Sequence, residues 1–182
     1  MIVYFGRVCR FKPLSWLVKI YISIMRGTPL MLQLLIWYFG PFYLWGMNIG
    51  GYKFTAIILG CSLNYAAYFA EIYRSGIEAI PKGQHEAAKL LGYTKSQTFI
   101  KIILPQVIKI ILPAVTNEII TLVKDTSLAF TLSCIEMFTV AKQIAAAETS
   151  MVPFAVAALF YYIFNLLVSF IMGRVEKKLS YY

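Results

Sequence analysis

The chain has 182 residues, 60% of them hydrophobic, with 17 Lys+Arg against 8 Asp+Glu and a mean hydropathy of +0.71. A soluble domain of this length cannot hide so much apolar surface in one core, which excludes the ordinary soluble class. The basic residues form short clusters between long apolar runs. This pattern is typical of an integral membrane protein and excludes a continuous nucleic-acid-binding face.

Four apolar segments have roughly the length of a membrane crossing, which takes about 20 residues. They run over residues 28–52, 54–70, 102–123 and 149–173. The third contains Lys109, Pro113 and Glu118, whereas the other three carry no charge. The sequence therefore predicts an all-α fold, a polytopic membrane helix bundle with about four transmembrane helices.

The loops between these segments differ in charge. Basic residues concentrate at 7–26, 74–101 and 174–178, while one of the opposite loops carries a single lysine and the other carries two lysines offset by three acidic residues. Positively charged loops face the cytoplasm. We therefore expect both ends of this chain and the polar insert near 82–101 to face the cell interior.

A helical periodicity covers residues 13–25, ahead of the first apolar segment. Its apolar stripe consists of Leu14, Leu17, Val18, Tyr21, Ile22 and Met25. The pattern fits either an interfacial helix or the cytoplasmic start of the first span. Arg26-Gly27-Thr28-Pro29 then predicts a break or kink, because glycine is a poor helix former and proline disfavours helix in the residue before it.

The cytoplasmic insert begins with a short predicted helix at residues 82–91. Pro81 suits its first position, where a missing N–H costs nothing. Glu86 lies near the positive N-terminal end, and Gly92 fits the left-handed conformation that ends helices. Ala87 and Ala88 are small, so another surface could approach closely.

A second helix follows directly. Thr94 and Gln97 have the spacing of a capping box, in which each side chain binds the other residue's free backbone N–H. The helix is expected to present Phe99, Ile100, Ile103 and Leu104 along one side, and Pro105 to bend it into the third span. From these patterns alone, the insert is either a solvated connection or a docking element.

The fixed positions of this insert resemble the EAA loop of ABC importer permeases. The matching residues are Glu86, Ala87, Ala88, Gly92, Ile102, Leu104 and Pro105. Three further elements resemble the polar amino-acid uptake branch of that family: Arg26-Gly27-Thr28-Pro29-Leu30, Ala70-Glu71-Ile72-Tyr73-Arg74-Ser75-Gly76, and Asn117-Glu118 with Lys124-Asp125-Thr126-Ser127-Leu128. The resemblance covers nearly the whole chain in the correct order.

The resemblance implies a single permease domain over residues 1–182, with a coupling loop at about 80–105. In such importers this loop docks on a cytoplasmic ATPase subunit, here through Glu86, Ala87, Ala88, Gly92, Leu104 and Pro105. The chain has no G-x-x-x-x-G-K-[ST] phosphate loop, so ATP and Mg²⁺ are expected on that partner and no cofactor on this chain. The family usually has five spans, and residues 1–5 resemble the stub of a first span.

The family also implies the other partners. These are a second permease chain, identical or not, an extracytoplasmic amino-acid-binding protein, and the lipid of a prokaryotic cytoplasmic membrane. No nucleic acid is expected. The implied function is amino-acid import driven by a partner's ATP hydrolysis.

Ionisable groups at membrane depth usually face a cavity, because burying them in lipid is unfavourable. Pro113 is expected to kink the third span ahead of such groups, and a broken helix is a common way to build a solute site. The predicted substrate path consists of Asn64, Tyr68, Glu118, Asp125, Thr126 and Ser127. The alternative is a Lys124–Asp125 ion pair with a helix cap at the outer interface.

Other functions are possible from the residues alone. Glu71 and Arg74, three residues apart, fit a local salt bridge or a gate at the cytoplasmic exit. A membrane scaffold that recruits a cytoplasmic partner through the basic loop is the main alternative function. A membrane-embedded enzyme is disfavoured, because the single His85 and three scattered cysteines supply neither a nucleophile–His pair nor a metal site.

Overall fold

The computed structural model describes residues 3–4, 7, 12–48 and 50–179. Within these ranges the chain is helical and contains no strand, which confirms the all-α prediction. The helices are α1 (Lys12–Gly27), α2 (Leu30–Trp45), α3 (Lys53–Glu78), α4 (Lys82–Leu90), α5 (Lys95–Thr98), α6 (Leu104–Asp125), α7 (Met137–Glu148) and α8 (Val152–Leu179). A π-helical turn at Phe99–Ile103 precedes α6, and a 3-10 helix at Thr126–Leu132 follows it.

Three stretches of the described chain are long and apolar enough to cross a membrane: Lys53–Glu78, Lys95–Leu132 and Val152–Leu179. A fourth crossing arises if α1 and α2 count as one bent span. The predicted number of about four is therefore confirmed. The first span differs from the prediction of 28–52, because α2 ends at Trp45 and Gly46 adopts a left-handed conformation with φ +64°.

The break between α1 and α2 lies where the sequence predicts it, and the helix axis turns there by 112°. Pro29 is the N-cap of α2 in an extended conformation. On α1, Ile22 packs against Ala67 and Ala70 of α3. Leu17 was expected on the same face but is 57% exposed, because only part of the apolar stripe contacts α3.

Helix α3 forms the centre of the bundle and contacts α1, α2 and α6. Its small residues let neighbours approach closely, as is common between membrane helices. Leu34 of α2 is fully buried in a cluster with Tyr38, Ala56 and Leu132. Near the C-terminal end of α3, Gly76 faces Ile111 and Val107 of α6.

Helix α6 passes Pro113 without ending and continues to Asp125. The change to 3-10 geometry comes only at Thr126. Helix α8 has large apolar residues exposed on most of its surface, and Ala157 is its one buried residue within the described range. A helix that is apolar all round is suited to contact with lipid or another membrane chain.

Candidate functional site

The cytoplasmic insert is built as a helix, a glycine turn and a second helix. Helix α4 ends in a Schellman motif: the Tyr93 N–H donates to the Ala88 carbonyl at 3.0 Å, and the Gly92 N–H to the Lys89 carbonyl at 3.1 Å. Gly92 adopts φ +79°, which a residue with a Cβ rarely tolerates. The predicted glycine stop is confirmed.

Helix α5 begins with the predicted capping box. The Gln97 N–H donates to Thr94 Oγ1 at 3.3 Å, and the Thr94 N–H donates to Gln97 Oε1 at 2.9 Å. One detail differs at the start of α4, where Pro81 is the N-cap and not the first helical residue. The shift is one position, so the proline directly precedes the first helical residue, Lys82.

The π-helical turn at Phe99–Ile103 separates α5 from α6. Leu104 donates its N–H to the Phe99 carbonyl, five residues earlier, and Pro105 has no N–H to continue the ladder. Ile103 is fully buried with Ile80 and Val107. The prediction that Ile100 shares this face is wrong: Ile100 is 60% exposed, because the wider turn rotates it away.

The residues matched to the coupling loop do not all lie on one surface. Glu86, Ala87 and Gly92 are exposed, as is Pro105. Leu104 is half-buried, and Ala88 is 1% exposed. The expectation that both alanines face a partner is therefore wrong for Ala88, which packs inside the chain while Ala87 remains open.

Glu71 and Arg74 form the predicted local salt bridge, with Nη2 and Oε2 2.8 Å apart. The structure extends this pair into a network, in which Arg7 also pairs with Glu71 and Arg74 also pairs with Glu78. The network ties the C-terminal part of α3 to Arg7, ahead of α1.

Asn64 lies in a buried amide cluster at the break between α1 and α2. Its Nδ2 donates to the Met25 carbonyl and to Gln33 Oε1, both at 3.0 Å. Gln33 Nε2 donates in turn to the Met25 carbonyl at 3.0 Å, the Thr28 carbonyl at 3.1 Å and Thr28 Oγ1 at 2.8 Å. Asn64 is 4% exposed, so it satisfies the backbone of the break and does not line an open path.

Asp125 faces α3, but its partner is Tyr65, whose hydroxyl donates to Asp125 Oδ2 at 2.8 Å. Among the described residues no ion pair joins Asp125 to Lys124, and the Asp125 side chain caps no helix. The alternative predicted for this pair is thus wrong in both parts. The cap belongs to Glu136, which accepts the N–H of Phe138 at 2.7 Å and of Thr139 at 2.6 Å.

Tyr68 contacts Arg26, a cation that the sequence pattern did not mark as a site residue. The Arg26 guanidinium lies over the Tyr68 ring, 5.5 Å from its centroid, in cation–π geometry. The half-buried Glu118 lies within electrostatic range of Arg26 and Asp125. These residues form a mixed-charge cluster between α1, α3 and α6, which we call the polar cluster (Arg26, Tyr65, Tyr68, Glu118 and Asp125).

Thr126 and Ser127 turn away from the polar cluster. Their hydroxyls donate to the Val123 and Lys124 carbonyls at 2.7 Å. Ser127 lines a cavity of about 550 Å³ with Lys124, Tyr161 and Asn165, while Thr126 lines another, of about 470 Å³, with Glu136. Both cavities face α8, so the predicted grouping of Thr126 and Ser127 with Asn64 and Tyr68 is wrong.

Three residues of this region were missed: Tyr65, Gln33 and Arg26. Tyr65 follows Asn64 directly, but nothing local indicates that Asp125, 60 residues later, is its partner. Gln33 was visible as a polar side chain in an uncharged apolar run. Such a residue usually binds a buried polar group.

No group of three or more His, Cys, Asp or Glu side chains in the described part of the chain has the arrangement of a metal site.

The profile of a protein family described as "Binding-protein-dependent transport system inner membrane component" matches residues 2–181. The chain belongs to this family. Its membrane helices are therefore those of a transporter permease subunit, and the scaffold alternative is not favoured. An integral membrane location follows from the family and from the apolar helices.

Relatives of this family member are bacterial permeases. It is 41% identical over 175 residues to the arginine transport system permease protein ArtQ of Bacillus subtilis, covering 96% of this chain and 79% of ArtQ. It is 36% identical over 185 residues to the L-cystine transport system permease protein TcyB of the same species, covering 100% of this chain and 77% of TcyB. A putative glutamine permease protein GlnP of Rickettsia bellii is 42% identical over 178 residues, covering 95% and 79%.

Solved structures of permeases share the fold. A chain of the crystal structure of an amino acid ABC transporter with histidines superposes with a TM-score of 0.87 at 34% identity, covering 97% of this chain and 82% of that one. The inward-facing MetNI methionine ABC transporter gives a TM-score of 0.77 at 20% identity, covering 98% and 83%, which supports the fold alone.

Proposed function

We propose that this permease subunit translocates amino acids across a bacterial cytoplasmic membrane as part of an ATP-binding-cassette importer. A separate cytoplasmic subunit binds ATP and Mg²⁺ and hydrolyses ATP, and an extracytoplasmic binding protein delivers the solute. A second permease chain completes the path. The carrying observation is the identity of 36% to 42% with three amino-acid permease proteins over nearly the whole chain.

The polar cluster supports an amino acid as the solute class. Asp125 and Glu118 supply negative charge for an α-ammonium group or a cationic side chain, and both lie on α6, in a stretch long and apolar enough to cross a membrane. Burying such charge in the bilayer is unfavourable unless a partner or cavity receives it. In this proposal Asp125, Glu118 and Tyr68 line the path, and Asn64 supports the break between α1 and α2.

The exposed residues of the cytoplasmic insert support docking of the ATPase. Glu86, Ala87, Gly92 and Pro105 face solvent on a rigid, capped helix pair. Ala88 and Leu104 set the shape of that pair from inside. In this proposal the whole coupling loop, residues 80–105, moves with the ATPase when that subunit closes on ATP.

Reconstitution tests the function directly. The chain is co-purified with its ATPase and second permease chain, placed in proteoliposomes, and supplied with the binding protein and labelled arginine, cystine, glutamine or histidine. ATP-dependent accumulation of at least one of these is expected. ATP hydrolysis without accumulation of any amino acid would contradict the proposal.

A pull-down separates the importer from a scaffold that binds some other protein. Glu86→Ala should weaken retention of the ATPase subunit on the permease. Glu148→Ala is the matched control, because it removes a glutamate at the far end of α7, outside the coupling loop. Unchanged ATPase retention in both variants would argue for the scaffold.

A further inference from the structure

Two glutamine side chains join α4 to the beginning of α6 by a reciprocal pair of hydrogen bonds. Gln84 Nε2 donates to Gln106 Oε1 at 2.8 Å, and Gln106 Nε2 donates to Gln84 Oε1 at 2.5 Å. The second hydrogen of Gln106 Nε2 binds the Ile102 carbonyl of its own helix at 2.8 Å. Both hydrogens of that amide are used, so its orientation is fixed.

The position of this pair allows it to pass a movement of α4 on to α6. Helix α4 is nine residues long; Gln84 lies in its first turn, and the Gly92 turn closes its other end. The chain holds α4 at its two ends, through the short connection to α3 and through the Gly92 turn. The glutamine pair adds a direct, directional link from α4 to α6, so a displacement of α4 is passed to α6.

Apolar packing near the pair cannot replace it. Ile80, Ile103 and Val107 form a buried cluster close to the same junction. Apolar contacts are non-directional, which allows one surface to slide over another. A reciprocal amide pair fixes both distance and direction, and both glutamines are half-buried, where competition from water is reduced.

We infer that Gln84 and Gln106 are positioning residues that transmit movement of the docked α4 helix to the membrane helix α6. The inference rests on the proposed function, since it requires an ATPase that moves α4. It assigns to these two side chains the connection between the surface that contacts the ATPase and the helix that carries Glu118 and Asp125.

The test measures the ratio of amino acid taken up to ATP hydrolysed by the complete transporter in proteoliposomes. Gln84→Met and Gln106→Met keep side-chain volume but remove the hydrogen bonds. Each should lower the ratio by on the order of tenfold, the effect of two hydrogen bonds of ordinary net strength. Because the residues act as one unit, the double variant should lose no more than either single variant.

A rescue separates a specific link from general packing. Gln84→Glu combined with Gln106→Lys places an acceptor opposite a donor, and the ratio should return to within about twofold of the unmodified transporter. Gln143→Met, an exposed glutamine on α7, is the control and should change nothing. ATPase retention should stay constant in all variants.

The inference is overturned if the single variants keep the normal ratio, if their losses multiply in the double variant, or if the lower ratio reflects dissociation of the ATPase. Failure of the proposed function looks different. In that case the unmodified complex hydrolyses ATP without any amino-acid uptake, before any variant is compared.

Discussion

Replacing Gly76 by alanine tests how closely α3 and α6 pack. A Cβ at this position would lie 2.2 Å from Ile111 Cγ2 and 3.3 Å from Val107 Cγ1. Ile111 is β-branched and strongly prefers one rotamer in a helix, so its methyl group cannot swing aside. Overpacking of this kind costs about 1–3 kcal/mol, and a 2.2 Å approach belongs in the upper half of that range. Alanine regains about 1 kcal/mol of helix propensity, which leaves a net loss of about 1–2 kcal/mol.

The free energy of unfolding of the detergent-purified chain, measured by denaturant titration, provides the assay. Gly173→Ala is the matched control, because a Cβ there meets nothing within 4 Å. The two variants should differ by about 2–3 kcal/mol in the free energy of unfolding. Both gain helix propensity, but only Gly76→Ala introduces a steric clash. A Gly76→Ala chain as stable as Gly173→Ala would refute the reasoning.

A double-mutant cycle locates the clash. In an Ile111→Ala background the Cγ2 atom is gone, so adding Gly76→Ala should cost nothing further. Gly60→Ala offers an intermediate case: its Cβ would meet Leu34 Cδ2 at 2.7 Å, the terminal methyl of a flexible side chain that can move. If Gly60→Ala proves more damaging than Gly76→Ala, the argument from side-chain stiffness fails.

Three other changes have defined outcomes. Asp125→Asn removes the charge but can keep the Tyr65 hydrogen bond, so uptake in proteoliposomes should fall on the order of tenfold while basal ATPase activity and assembly persist; full uptake would remove Asp125 from the path. Gly92→Ala puts a Cβ at φ +79°, at a cost of about 1–2 kcal/mol, and should weaken ATPase binding about tenfold in a titration; unchanged affinity would contradict a role for the turn. Glu136→Ala removes the cap of α7 and should lower the free energy of unfolding by about 0.5–2 kcal/mol, with Glu148→Ala as an unaffected control.

The cytoplasmic insert was predictable because its signals are local. The glycine stop and the capping box each depend on residues a few positions apart, and both occur where the sequence places them. The exposure of Ile100 was not predictable in this way. It depends on the π-helical turn, which follows from the missing N–H of Pro105 and from packing of Ile103 against residues outside the insert.

The polar side chains in the membrane were harder to place. Composition identified Asn64 and Asp125 as residues that need partners, but the partners are distant in sequence: Gln33 lies 31 residues from Asn64, and Tyr65 lies 60 residues from Asp125. The direction in which Thr126 and Ser127 point was not predicted, for a related reason. The 3-10 helix changes the rotation per residue, so Thr126 and Ser127 point towards α8 and not, like Asp125, towards α3.

The corner between α1 and α2 has a consequence for hydration. Helix α2 has 16 residues and is about 24 Å long, less than the roughly 30 Å of a hydrocarbon core, so a full crossing needs part of α1 as well. Peptide groups freed at a helix break inside a membrane must find partners within the protein. The Gln33 and Asn64 side chains supply these partners here, because both donate to the Met25 carbonyl. The Met25 and Thr28 carbonyls at the corner therefore have partners within the protein and do not depend on bound water, so the bend can keep its shape in a dry surrounding.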